Sequence, residues 1–235
     1  MLKLYVCEIS NLIKEVQTDA TVLATYFDKL GEARIEQILK YNRAEDKARG
    51  LGAAYLLLFA LHKEGVLLEM LPDFSYEEKG KPYLEEVPQF HFNLSHTKNM
   101  VVCAISEDKV GVDIEHIREI NDSTIQRIFT EKEREIAGSL EDGFVRLWTM
   151  KEACAKLRGS GLADILDGME LCSTNNGFVI KKLNQDIRKT FCYPILAEGK
   201  ISDAYENPYY YSICTKESSK VEIIHTMWDK HIVIL

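Results

Sequence analysis

The sequence predicts an α+β fold built as two related lobes. Three observations carry that prediction. Each half of the chain runs from helical periodicity into alternating strands and ends in an apolar strand, MVVCAIS at 100–106 and YYYSICT at 209–215. The 235 residues suffice for one large domain or two lobes, and 46% of them are hydrophobic, ample for a core. No linker or low-complexity run separates the halves, so the lobes are expected to pack closely. The expected boundary gives an N-terminal lobe at 1–107 and a C-terminal lobe at 108–235, each with an antiparallel sheet packed against helices.

Taken in order, residues 2–9 alternate like a first strand, and residues 19–30 and 32–40 read as helices. RAEDKARGLGAAYLLLFALHKEG, from 43, is a longer helix, charged at first and then buried, with Gly65 as its stop. YEEKGKPYLEE is a turn or strand edge in which Gly80 and Pro82 flank Lys81. PQFHFNLSH alternates Phe90, Phe92 and Leu94 and breaks at Ser95-His96. MVVCAIS and KVGVDIE, separated by the polar EDK, are expected to form an antiparallel hairpin. STIQRIFTEKEREIAGSL is helical or partly looped. DGFVRLWTMKEACAKLRGSGL is a helix with an apolar stripe of Leu147, Met150, Cys154 and Leu157, ended by Gly159 and Gly161. GMELCS, GFVIKKL, CYPILAEGK, PYYYSICT and VEIIHT follow as strands.

A formal net charge of -8 argues against a nucleic-acid binder with a broad basic face, although it leaves room for a small basic pocket. The six cysteines form no CxxC pair and sit mostly among apolar residues. That pattern points to free thiols in a reducing compartment rather than a disulfide framework or zinc site. The first ten residues lack the apolar core of a secretory signal, and LGAAYLLLFALHKEG is too short to span a membrane. A cytoplasmic protein without a membrane partner is expected.

The chemistry is concentrated in two segments. In KVGVDIEHI, residues 109–117, Asp113 and Glu115 alternate with apolar residues, so both acids share one strand face. Two like charges that close need water or a cation. In WTMKEACAK, Trp148, Glu152 and Lys156 are spaced i, i+4, i+8 and lie along one side of a helix. An ordinary helical ion pair explains the second segment taken alone. Together the segments offer three carboxylates and a lysine, which suits Mg²⁺ sharing its shell with water and phosphate oxygens. Gly111, on the same strand face, is expected to leave space for a bulky ligand. His96, Lys81, Arg43 and Arg49 are ordinary solvated groups taken singly. Gathered in one site, they make a cationic cradle for a polyphosphate.

The ordered set GKP, FNLSH, GVDIE, FTEKE and WTMKEACAK, ending in GSGL, resembles the 4′-phosphopantetheinyl transferases of the surfactin-synthetase-activating type over about residues 30–165. GVDIE alone is moderately specific; followed some thirty residues later by W-x-x-K-E-A-x-x-K, it is highly specific. The resemblance implies lobes related by a pseudo-twofold in a monomer. It also implies transfer of the 4′-phosphopantetheine arm of coenzyme A to a serine of an apo acyl or peptidyl carrier protein, releasing 3′,5′-ADP. Mg²⁺, or Mn²⁺ in its place, would be held by Asp113, Glu115 and Glu152. Lys156 would contact the phosphates near the reacting bond. Lys81 and Pro82 of GKP, Ser95 and His96 of FNLSH, and the basic Arg34 and Arg49 would bind coenzyme A. Glu133 of FTEKE would activate the serine hydroxyl. Relatives often carry a second basic residue where this chain has Gln37.

A metal-dependent nuclease is the rival enzyme, disfavoured by net acidity and by the lack of a basic, aromatic-studded groove. A non-catalytic binding module is the other rival, disfavoured by the intact acids and Lys156. The segment IREINDSTIQRIFTEKEREIAGSL is the expected carrier-docking surface. It offers Arg118, Arg127 and Lys132 with Ile117, Ile125, Ile128 and Phe129 interleaved.

Overall fold

The computed structural model describes residues 2–166, 168–175, 177–184, 189–203, 206–216 and 220–228. The chain runs β1 (Leu2–Glu8), α1 (Ser10–Thr18), a 3₁₀ helix (Ala20–Lys29), α2 (Glu32–Leu39), α3 (Ala44–Lys63), β2 (Ser75–Tyr76), β3 (Pro82–Tyr83), β4 (His91–Thr97), β5 (Met100–Ser106) and β6 (Val110–His116). It continues through α4 (Asp122–Ile128), α5 (Glu131–Gly138), α6 (Gly143–Arg158), α7 (Leu162–Leu166), β7 (Met169–Thr174), β8 (Gly177–Asn184), β9 (Lys189–Ser202), β10 (Pro208–Thr215) and β11 (Val221–Met227). The result is a mixed α+β fold. One sheet has the order β11-β1-β5-β4, the other β6-β10-β9-β8-β7, and β2-β3 form a small ribbon.

Side-chain alternation explains how the layers stack. Tyr5 and Cys7 of β1 and Val101, Cys103 and Ile105 of β5 point into a core shared with α1 and α3. Their neighbours Leu4, Val6, Val102 and Ala104 point the other way, against Val110, Val112 and Ile114 of β6 and Tyr209, Tyr211 and Ile213 of β10. Cys214, on the opposite face of β10, joins Leu147, Met150, Cys154 and Leu157 of α6. The layers are therefore helix, sheet, sheet, helix. Strands with period-two patterning on both faces are what such a double burial requires. The expected apolar stripe of α6 is the face that packs on the second sheet, and the helix stops at Gly159, whose φ of +69° suits the left-handed cap.

The elements differ from the expected ones in two places. Residues 10–18, which carry no expected element, form α1. Its amphipathic run is only nine residues and abuts a strand. The MVVCAIS–KVGVDIE hairpin does not form. Both edges of β5 are already taken, by β1 and β4 in full register, so β6 crosses to the other sheet and pairs with β10. Strand β11 returns to the first sheet and pairs parallel with β1, Leu2 opposite Val221 through Glu8 opposite Met227. Trp228 seals that return, donating its backbone N–H to Glu8 and packing against Tyr26 and Tyr55.

The two sheets touch along an edge as well as face to face. The backbone N–H of Val112 donates to Asn93 Oδ1 at 2.8 Å, and that of Ile114 reaches Ser95 Oγ at 3.4 Å. Side chains of β4 thus stand in for the strand carbonyls that β6 would otherwise seek. This seam places FNLSH directly beside GVDIE.

Candidate active site

The close approach of α6 to β6 makes the site. A Cβ added to Gly111 would lie 1.9 Å from the Ala153 carbonyl oxygen and 2.5 Å from the Leu157 nitrogen. The space beside Gly111 is therefore filled by the helix backbone, not by a ligand, which corrects the expectation stated above. Glycine brings the helix down onto the strand, and the next residues on that face, Asp113 and Glu115, then meet Glu152 and Lys156.

A cavity of about 460 Å³ opens above them. Asp113 and Glu115 of β6 and Trp148, Glu152 and Lys156 of α6 line one side, and Arg34 and Gln37 of α2, Pro82 of β3 and Ser95 and His96 of β4 the other. The sequence-derived set is thus largely gathered in one place. Tyr41, Phe74 and Tyr76 also line it and are not legible in the sequence, because no periodicity links aromatics so far apart in loops and a two-residue strand.

Asp113 is 4% exposed. Its Oδ1 accepts from Ser95 Oγ at 2.8 Å and from Lys156 Nζ at 2.6 Å, and Lys156 also donates to Ser95 at 2.8 Å. Oδ2 is buried and finds no partner among the described residues. Burial holds the Asp113 pKa above its ordinary value even though Lys156 opposes the shift. Burial, then Asp113, pushes the Glu152 carboxyl up to about 7. Glu115 is tied at the rim, accepting from Trp148 Nε1 at 3.2 Å and from Arg118 at 2.9 Å.

An all-oxygen donor set, an orphaned buried carboxylate oxygen and mutual repulsion among acids fit a hard divalent cation. Among the described residues no three His, Cys, Asp or Glu groups are gathered tightly enough to hold a metal, and Asp113 is paired with Lys156.

The cationic cradle is only partly as expected. Arg34 donates to Gln37 Oε1 and to the Gly50 carbonyl, both at 2.9 Å, and lies 5.3 Å over the Phe74 ring. Its Nε is buried without a partner among the described residues. His96 keeps a solvent-exposed edge, yet the protein crowding it, then Arg49 and Lys156, hold its pKa well below the usual value. Arg49 does not line the main cavity. It is bonded to Asp46 and to the Lys98 carbonyl in an adjoining cleft that also touches His96.

Lys81 and Glu133 also lie outside the main cavity. Lys81 is 5% exposed and outside the cavity. Its Nζ donates to the Val110 carbonyl at 2.7 Å and the Leu157 carbonyl at 3.3 Å, and burial pushes its pKa down to about 8. Only its neighbour Pro82 reaches the cavity wall. Glu133 is fully buried and does not line the cavity. It completes a capping box with Thr130, accepts from the Leu171 N–H at 2.9 Å, and pairs with Lys151 at 2.9 Å. TEKE is a helix-start signature as well as a motif, and that reading explains the acid.

A second, smaller cleft of about 250 Å³ shares Glu115 and Trp148 with the first and runs along Asn121, Thr124, Ile128 and Phe129. In the expected docking segment, Arg127 and Lys132 are exposed, whereas Phe129 is core.

Comparison with known proteins agrees with this site. The family model of the 4′-phosphopantetheinyl transferase superfamily matches residues 109–214, the stretch that carries Asp113, Glu115, Glu152 and Lys156. The 4′-phosphopantetheinyl transferase psf-1 of Bacillus pumilus is 28% identical over 219 residues, 85% of this chain and 90% of its own. The 4′-phosphopantetheinyl transferase Sfp of Bacillus subtilis strain 168 is 30% identical over 149 residues, 61% of this chain and 66% of its own. The transferase HetI of a Nostoc species is 38% identical over 112 residues, 43% and 47% of the two chains. With the motifs, their gathering at one cavity and these relatives all in accord, the chain belongs to the 4′-phosphopantetheinyl transferase superfamily.

Proposed function

We propose that the protein transfers the 4′-phosphopantetheine arm of coenzyme A to a serine hydroxyl of an apo acyl or peptidyl carrier protein, releasing 3′,5′-ADP. The observation that carries this reading is the single cavity in which three carboxylates and Lys156 face Arg34 and His96. Asp113, Glu115 and Glu152 would hold Mg²⁺, which supplies charge neutralisation on the pyrophosphate and the departing diphosphate. Lys156, poised between Asp113 and Ser95, is placed to turn to a phosphate oxygen once a cation takes its place on Asp113. Arg34, with a free buried Nε, and His96 favour an anion at the other end. In this reading the serine proton leaves to water in the open cavity, since the three cavity carboxylates are taken by the cation and Glu133 is paired with Lys151. The protein's remaining contribution is positioning.

The test is incubation with coenzyme A, Mg²⁺ and an apo carrier, read as a mass gain of one phosphopantetheine arm. Asp113→Ala is expected to lower transfer on the order of a thousandfold in a folded protein, the cost of removing a ligand from a charge-stabilising metal. Full turnover in excess chelator would sink the metal assignment.

Strand orders β1-β5-β4 and β6-β10-β9 place the last strand of each trio in the middle, with α3 and α6 packed behind, and this supports the pseudo-twofold reading. Five described cysteines form no disulfide, in keeping with a reducing, cytoplasmic setting, and no helix among the described residues is long and apolar enough to cross a membrane.

For the carrier, the exposed Arg127 and Lys132 beside the smaller cleft are the groups expected to meet an acidic helix. Arg118 is excluded from the test because it is bonded to Glu115. Reversing Arg127 and Lys132 together is expected to raise the KM for the carrier, more at low salt than at high, with coenzyme A affinity unchanged. Unchanged carrier kinetics would move the docking surface elsewhere.

A further inference from the structure

Lys81 is a buried cation that the proposed chemistry does not use, and its surroundings are unusual. Its ammonium meets two main-chain carbonyls, and among the described residues no carboxylate forms an ion pair with it. The nearby acid, Glu77, is instead bonded to Lys109 at 2.6 Å. Burying a lysine in this way is costly and calls for a return.

The two carbonyls are informative. Val110 opens β6, the strand that carries Asp113 and Glu115. Leu157 lies in the last turn of α6, the helix that carries Glu152 and Lys156, where exposed carbonyls and the helix dipole attract a cation. Lys81 itself belongs to the turn between β2 and β3, closed by the Glu77 N–H donating to the Lys81 carbonyl at 2.9 Å. That ribbon supplies two cavity walls, Tyr76 and Pro82. Gly159 leaves the passage: a Cβ there would come within 3.1 Å of Lys81 Cβ.

We infer that Lys81 is a positioning residue, a peg that fixes the Tyr76–Pro82 wall of the ligand cavity to the β6–α6 pair that carries the reacting groups. It touches no substrate. Its three-way connection sets the cavity's width, so its loss loosens ligand binding more than the reaction of bound ligand. The binding part rests on the reading of the cavity as the coenzyme A site; the mechanical part does not.

The experiment compares wild type with Lys81→Met, which keeps the stem, and Lys81→Gln, which keeps a neutral donor. Backbone hydrogen exchange is followed in the ligand-free protein, and affinity is measured for coenzyme A and for 3′-dephospho-coenzyme A. In Lys81→Met, exchange across residues 77–83 is expected to quicken at least about tenfold, the effect of losing a charged hydrogen bond. Both ligands should lose affinity by the same factor, with kcat at saturation within about twofold of wild type. Lys81→Gln should fall between. Unaltered exchange in either variant overturns the peg. A loss confined to coenzyme A, equal in both variants, makes Lys81 a 3′-phosphate ligand and also overturns it. Faster exchange in Lys81→Met, with a wild-type protein that binds neither ligand, would leave the peg standing and defeat the coenzyme A reading instead. A fall in melting temperature with no change in either affinity reduces Lys81 to a purely structural role.

Discussion

Glu133→Ala is expected to destabilise the protein by about 3–5 kcal/mol, because it strands the Lys151 ammonium in the core. The pair is 1% and 0% exposed, and Lys151 also donates to the Ile128 carbonyl at 3.1 Å. Glu133 further ties β7 through Leu171 and starts α5 through Thr130. One carboxylate therefore joins three elements. Urea unfolding measures the loss. Converting Lys151 to Met in the Glu133→Ala background should recover part of it, since the uncompensated charge then disappears. If Glu133→Ala unfolded like wild type but no longer transferred the arm, Glu133 would be a proton acceptor after all.

Gly111→Ala is expected to be nearly as damaging, for a different reason. The new methyl group meets only backbone, at 1.9 Å and 2.5 Å, so no side chain can turn aside to admit it. Strand β6 and helix α6 must part, at a cost of about 1–3 kcal/mol for overpacking. Parting them also carries Glu152 and Lys156 away from Asp113. A shift of an ångström there is expected to lower turnover on the order of a hundredfold. Thermal melting and single-turnover transfer separate the two effects. A variant with wild-type melting and wild-type turnover would show that α6 does not need this contact.

Much of the fold and the site is written in local pattern. Alternation in β1, β4 and β6, the continuous apolar run of β5 and the 3.6 period of α6 are set by burial on defined faces, and so they can be read directly. The i, i+4, i+8 spacing of Trp148, Glu152 and Lys156 predicted a common side, and all three line the cavity. What could not be read depends on long-range partners. The two strands MVVCAIS and KVGVDIE have hairpin chemistry between them, but the outcome was decided by β1, which occupies the second edge of β5. Lys81 and Glu133 are charged residues in motifs, and nothing local distinguishes a ligand-facing charge from one buried against carbonyls or another charge. Gly111 promised empty space, and only the packing of α6 reveals that the space is used.

The parallel pairing of β1 with β11 has a consequence for synthesis. The ribosome delivers Leu2 first and Val221 more than two hundred residues later, yet the two are partners in one sheet. Until then β1 must hold one row of backbone groups open to solvent or to a neighbouring chain. Such a delayed closure lengthens the mean separation of contacts and slows folding. Nascent chains that have emerged only as far as β10 are therefore the form most exposed to mispairing, and the form in which a chaperone has most to shield.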